Sequence, residues 1–98
     1  MAEYVVSPVA DRDLDWIFDI GLENFGIYQA TRFQDQLHSQ FQLLADFPGI
    51  GGRPLSGVSR EVFRSPFASH VIIYQKSDAG VLIVRIFHGN IEEVRRLL

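Results

Sequence analysis

Apolar residues change their spacing along this 98-residue chain, and each change marks a new element. Tyr4-Val5-Val6 is a short β-prone run that stops at Ser7-Pro8, an N-cap followed by proline at the first helical position. Leu14, Ile17, Phe18, Gly21 and Leu22 then recur every three or four residues and predict a helix over about residues 8–24. Asp11 and Asp13 fall in its first turns, where carboxylates complement the helix dipole. Asn24-Phe25-Gly26 breaks the pattern. Ala30, Phe33, Leu37, Phe41 and Leu44 restart it, predicting a second helix over about residues 27–47. Gln29, Gln34, Asp35, Gln36, Ser39 and Gln40 supply much of its wet side, and Pro48 ends it. So short a break makes the two helices an antiparallel hairpin.

After residue 48 the helical period is lost. The stretch from Pro48 to Pro54 is rich in glycine, but it follows a helix and lacks the Gly-Lys-Ser/Thr of a phosphate loop, so it reads as a connection. Three strands follow: residues 60–65, where Arg60, Val62 and Arg64 alternate with Glu61 and Phe63; residues 69–76, dominated by Val71-Ile72-Ile73-Tyr74; and residues 81–88. Ser77-Asp78-Ala79-Gly80 joins the last two as a hairpin. Asn90 with Glu93 resembles a capping box for a short C-terminal helix striped by Ile91, Val94, Leu97 and Leu98. The expected fold is therefore a single α+β domain over residues 1–98, ordered β-α-α-β-β-β. A helical hairpin packs on one face of a mostly antiparallel sheet that the first strand joins. Strict period-2 alternation would gather Arg60, Arg64 and Arg85 on the other face.

Composition supports one domain and narrows its chemistry. Hydrophobic residues make up 47% of the chain, including eight Phe, enough to build one core at this length. With no cysteine, a disulfide framework, thiolate metal site or Cys nucleophile is excluded. The opening residues lack a signal peptide's basic start and apolar run, and no stretch approaches the ~20 apolar residues of a membrane span, so a cytoplasmic protein is expected. Charge is uneven: two Arg against eight carboxylates give residues 1–52 a net −6, while seven basic against four acidic residues give residues 53–98 a net +3. The two halves thus offer faces for different partners. A single lysine and an overall charge of −3 argue against tight, nonspecific nucleic-acid binding, which counterion release from many basic contacts would drive.

Few side chains are arranged for catalysis. His38, His70 and His88 form no HxxxH or HExxH spacing, so no metal or other cofactor is expected. The serines lack a nucleophile-elbow pattern, and Asp19 and Glu23, spaced i, i+4, read as solvated helix surface. What remains is Arg60, Arg64, His70, Tyr74, Arg85 and His88. Arginines of such a set bind carboxylates or phosphates with two parallel hydrogen bonds, and His or Tyr moves protons near neutral pH. Two chemistries fit: RNA cleavage, or the docking of an acidic peptide without catalysis. A third reading has His70 and His88 simply ending strands.

Several segments together carry a family resemblance. Tyr4-Val5-Val6-Ser7-Pro8-Val9-Ala10 with Asp13-Leu14-Asp15-Trp16-Ile17 resembles the start of bacterial ParE toxins. So do Phe25-Gly26 followed by Gln29-Ala30, then Pro48-Gly49-Ile50-Gly51, Ser69-His70-Val71-Ile72-Ile73-Tyr74, and Val84-Arg85-Ile86-Phe87-His88-Gly89. The resemblance implies a RelE-like fold and the toxin of a bacterial, plasmid-stabilising type II toxin–antitoxin pair. It implies inhibition of DNA gyrase by binding rather than catalysis, neutralisation by a ParD-like antitoxin, and a hetero-oligomer with that antitoxin. The RelE branch instead cleaves ribosome-bound mRNA with Lys or Arg and a late Tyr or His. This chain has no Tyr after Tyr74 and no Lys after Lys76, which favours the ParE branch. On the nuclease alternative the catalytic set would be Arg64, Arg85 and His88; a further alternative is a non-toxic relic that only binds antitoxin. The expected antitoxin or target contacts are Arg60, Arg64, His70, Tyr74, Arg85, His88 and Asn90, the last standing where the family often has a basic residue.

Overall fold

The chain's own start and stop signals set the first two elements. A computed structural model describes residues 2–49, 52–54 and 62–89. Its elements run β1 (Glu3–Val6), α1 (Pro8–Asp46), β2 (Arg53–Pro54), β3 (Phe63–Phe67), β4 (His70–Lys76) and β5 (Gly80–His88). Ser7 caps α1 as its position predicts: its Oγ accepts from the Ala10 N–H at 3.0 Å. The same hydroxyl donates to the Val84 carbonyl at 2.8 Å, and the Ser7 N–H donates to Ile83 O. One residue thus starts the helix and fastens it to β5.

Inside α1, Gly26 sits at φ 85°, ψ 172°, a conformation essentially restricted to glycine. It divides the helix into arms of residues 8–25 and 27–46 that fold back on each other. Gln34 Nε2 reaches across to the Leu14 carbonyl at 3.2 Å, and the small pair Gly21 and Ala30 lets the arms approach closely. This is the expected hairpin.

The sheet has the order β1-β5-β4-β3-β2, with β1 parallel to β5 and the other three pairings antiparallel. At Gly80, which pairs with Glu3, a Cβ would overlap the Glu3 carbonyl, so this strand junction requires glycine. Two boundaries depart from the sequence reading. Residues 53–54 form an extra edge strand, where two residues are too few to show a period; Pro54 suits an edge because it has no N–H to leave unpaired. The next strand is described from Phe63 to Phe67 rather than from Arg60. Arg60, Asn90 and the expected C-terminal helix lie outside the described residues.

Leu14, Ile17, Leu37, Phe41 and Leu44 of the hairpin pack on Phe63, Ile72, Tyr74, Val81, Ile83 and Ile86 of the sheet. Tyr4 shares a 2.9 Å hydrogen bond with His38 Nδ1 and sets its ring at a tilt against Phe41, tying β1 to the helix. The opposite sheet face holds a second apolar cluster of Val62, Val71, Ile73 and Phe87. The unbroken apolar run of β4 follows from this, since a central strand packed on both faces has no polar side. Strict alternation fails in β5. A bulge opposite Ile73/Tyr74 inserts Val84, so Ile83 and Ile86, three residues apart, both reach the hairpin-side core. Without that bulge Arg85 would share the parity of Val81 and Ile83 and point into the core. Among the described residues, no helix is long and apolar enough to cross a membrane.

Candidate functional site

The burial stripe of α1 leaves several large apolar residues out of phase with it. Trp16 is 59% exposed and Phe25 73%, and Ile20, Leu22, Ile27 and Tyr28 are exposed as well. Trp16, Ile17, Ile20, Gly21 and Phe25 of the first arm and Gln29, Ala30 and Phe33 of the second line an open groove. Ala68 and Ser69 of the β3–β4 turn and His70 of β4 line it together with His88 of β5. The groove encloses about 670 Å³ and is mainly apolar. Contiguous exposed apolar surface of this kind marks an interaction site. Beside Trp16 and Ile20 on the helix surface runs a row of exposed carboxylates at i, i+4 spacing: Asp15, Asp19 and Glu23.

At the end of the groove His70 and His88 pair directly across β4 and β5, their ring centroids 5.1 Å apart and nearly perpendicular. His70 also lies against the Phe33 ring, and its buried Nδ1 has no hydrogen-bond partner. Burial, and next the neighbouring His88, push the His70 pKa below its ordinary 6.5. The unfolded chain therefore takes up this proton first as pH falls. The stability due to neutral His70 is complete above about pH 6.5 and declines below it, as pH drops towards the folded-state value. Urea midpoints at about pH 7.5 and 5.5 should fall further for the wild type than for His70→Gln; equal falls would remove His70 from this role.

Arg85 is engaged by Asp13 of α1. Its Nε donates to Asp13 Oδ2 at 2.8 Å and its Nη2 to Oδ1 at 3.1 Å, a two-pronged contact. Asp13 Oδ2 also accepts the Ile86 N–H at 3.0 Å, so one carboxylate satisfies a β5 backbone donor past the end of β1. The hydrogen bond to Asp13 holds the Arg85 pKa above its usual value, against the opposing effect of burial. The guanidinium also lies over the Phe87 ring, 4.5 Å from its centroid.

Of the sequence-selected residues, the described ones divide between the two sheet faces. Tyr74 is fully buried on the hairpin side, stacked on Phe63, with its hydroxyl donating to the Pro48 carbonyl at 2.9 Å; burial raises its pKa. His70 and His88 share that side at the groove end. Arg64 and Arg85 lie on the opposite face, each paired in register with Ile73. The sheet therefore brings the two histidines together and separates them from the arginines. Among the described residues, no group of three or more His, Asp or Glu is placed to hold a metal. Neither groove histidine has a described hydroxyl nucleophile or orienting carboxylate within hydrogen-bond reach. The groove suits the reception of apolar side chains. Sequence reasoning passed over Trp16, Ile20 and Phe25; their signal was apolar identity off the buried stripe.

Comparison with known proteins places this geometry. The profile of the family described as "ParE toxin of type II toxin-antitoxin system, parDE" matches residues 4–92. The chain is 30% identical over 88 residues to Toxin ParE1 of Caulobacter vibrioides, covering 90% of each protein. It is 26% identical over 97 residues to Toxin ParE1 of Mycobacterium tuberculosis, covering 98% of each. Its fold is similar to a chain of the chromosomal ParDE toxin–antitoxin system of P. aeruginosa, with a TM-score of 0.78 and 20% identity over 92% of this chain and 98% of that one. It is also similar to a chain of the RelBE2 toxin–antitoxin complex of Mycobacterium tuberculosis, with a TM-score of 0.68 and 20% identity over 89% and 96% of the two chains.

Proposed function

The chain belongs to the ParE toxin family of type II toxin–antitoxin systems, and from that premise we propose that it acts in the cytoplasm by binding, as an inhibitor of DNA gyrase. A ParD-like antitoxin holds it inactive by laying an apolar segment into the hairpin groove. The observation that carries a binding mechanism is the groove itself, a large apolar recess between the two helical arms with no paired nucleophile and base among its described residues. Helix-in-groove recognition needs only such anchoring sites, spaced to receive residues from one face of a partner helix.

The mRNA endonuclease alternative would use Arg64, Arg85 and His88. Arg85 is held by Asp13, and His88 lies on the face opposite Arg64, so the three do not converge on one reacting phosphate. Purified protein titrated into a gyrase supercoiling reaction should inhibit it, and translated mRNA should show no new ends by primer extension. Full supercoiling at saturating protein would remove gyrase as the target. Normal growth on induction without antitoxin would instead favour the non-toxic relic.

A further inference from the structure

β2 brings into the sheet an arginine that the sequence placed in a loop. In register, Arg53 of β2 stands directly opposite Arg64 of β3, Arg64 opposite Ile73 of β4, and Ile73 opposite Arg85 of β5. Directly opposed residues share a face, so this transverse row runs Arg-Arg-Ile-Arg across the sheet face away from the hairpin. Its two ends differ. Arg85 is matched by Asp13, the one ion pair among the described residues. Arg53 and Arg64 lie outside salt-bridge reach of any described carboxylate, with Cα atoms about 4.5–5.5 Å apart, as direct antiparallel partners are. Like charges placed in this way destabilise a sheet unless a counter-charge joins them. Arg64 also keeps its Nε out of reach of solvent and without a hydrogen-bond partner, so an oxygen meets this donor only when the side chain shifts towards it.

We propose that Arg53 and Arg64 form a carboxylate-binding site, occupied by an acidic extended segment of the partner protein on the face opposite the groove. The fork of each guanidinium matches a carboxylate, and two neighbouring forks fit one or two acidic side chains. Charge selects such a segment over nucleic acid. Two cations are a small footprint for a polyanion, and a hairpin half of net −6 repels one. The site deepens the toxin reading only in what occupies it; the anion site itself stands on the pairing of β2 with β3.

The test uses the full chain at low ionic strength, with a blocked, fluorescently labelled hexaglutamate peptide and a length-matched oligothymidine as probes. The peptide should bind the wild type, and Arg53→Gln and Arg64→Gln should each weaken it about tenfold. Arg32→Gln on the hairpin should leave it within about twofold. Independently of any substitution, the Arg64 Nε–H resonance should shift on peptide addition, which keeps the test decisive if Arg64→Gln folds poorly. Undiminished binding by Arg53→Gln with an unmoved Arg64 resonance, absence of peptide binding, or tighter binding of oligothymidine would overturn the proposal. Growth arrest on induction is scored separately. A chain that arrests growth but ignores the peptide disproves the site alone, and one that binds the peptide without arresting growth upholds the site while removing the toxin reading.

Discussion

Asp13→Ala is expected to lower the unfolding free energy by about 2–3 kcal/mol, a loss out of proportion to one carboxylate near the start of a helix. Three donors converge on Asp13, two from Arg85 and one from the Ile86 N–H. The Arg85 side chain is 37% exposed, so water replaces part of its lost contact; the Asp13 side chain is only 16% exposed, so little of its pairing is screened. That places the pair between an exposed ion pair, worth about 0–1 kcal/mol, and the breaking of a buried one, worth about 3–5 kcal/mol. Asp13→Asn keeps an oxygen for the Ile86 N–H and should cost roughly half as much. Urea unfolding of Asp13→Ala, Arg85→Ala and the double variant measures the coupling directly. Equal stability of Asp13→Ala and wild type would show that the contact contributes nothing. Lost activity in Arg85→Ala is for the same reason no proof of catalysis, because that substitution also removes two of the hydrogen bonds that hold the start of the helix to β5.

The second large effect is on association. Trp16→Ala should weaken binding of the antitoxin by about 30-fold to several hundred-fold, the range of a buried aromatic anchor. Trp16 is largely exposed in the free chain, so the same substitution should change stability by less than about 1 kcal/mol. The contrast separates a docking residue from a core residue. Trp16 is also the chain's one tryptophan, so its emission should shift to shorter wavelength as the partner covers it. Unchanged affinity in Trp16→Ala, or an emission spectrum indifferent to saturating antitoxin, would exclude the groove as the docking site.

Local chemistry made the helical hairpin legible. Ser7-Pro8 can start a helix wherever it occurs, glycine alone suits the backbone of Gly26, and Ala30, Leu37, Phe41 and Leu44 repeat over enough turns to declare a face. The strand cores of β4 and β5 were legible for the same reason. β2 was not, because two residues carry no period and their pairing depends on where β3 arrives. Arg85 was assigned to the outer face by an alternation that would in fact have buried it. The bulge at Val84, a property of two strands paired together, returns it outward to Asp13. The family resemblance reached as far as the toxin class, but the described residues among those it brought forward divide between two faces.

The sequence by itself determined the helical hairpin, the cores of β4 and β5 and the division of charge, since each follows from neighbours within a few positions. Only the tertiary structure decided which arginines are neutralised, that His70 meets His88, and that Trp16, Ile20 and Phe25 line a groove instead of filling a core. Those outcomes depend on strand register and on how the hairpin seats against the sheet. Both are set by contacts between residues more than 70 positions apart, as Asp13 and Arg85 are, and no local period records them.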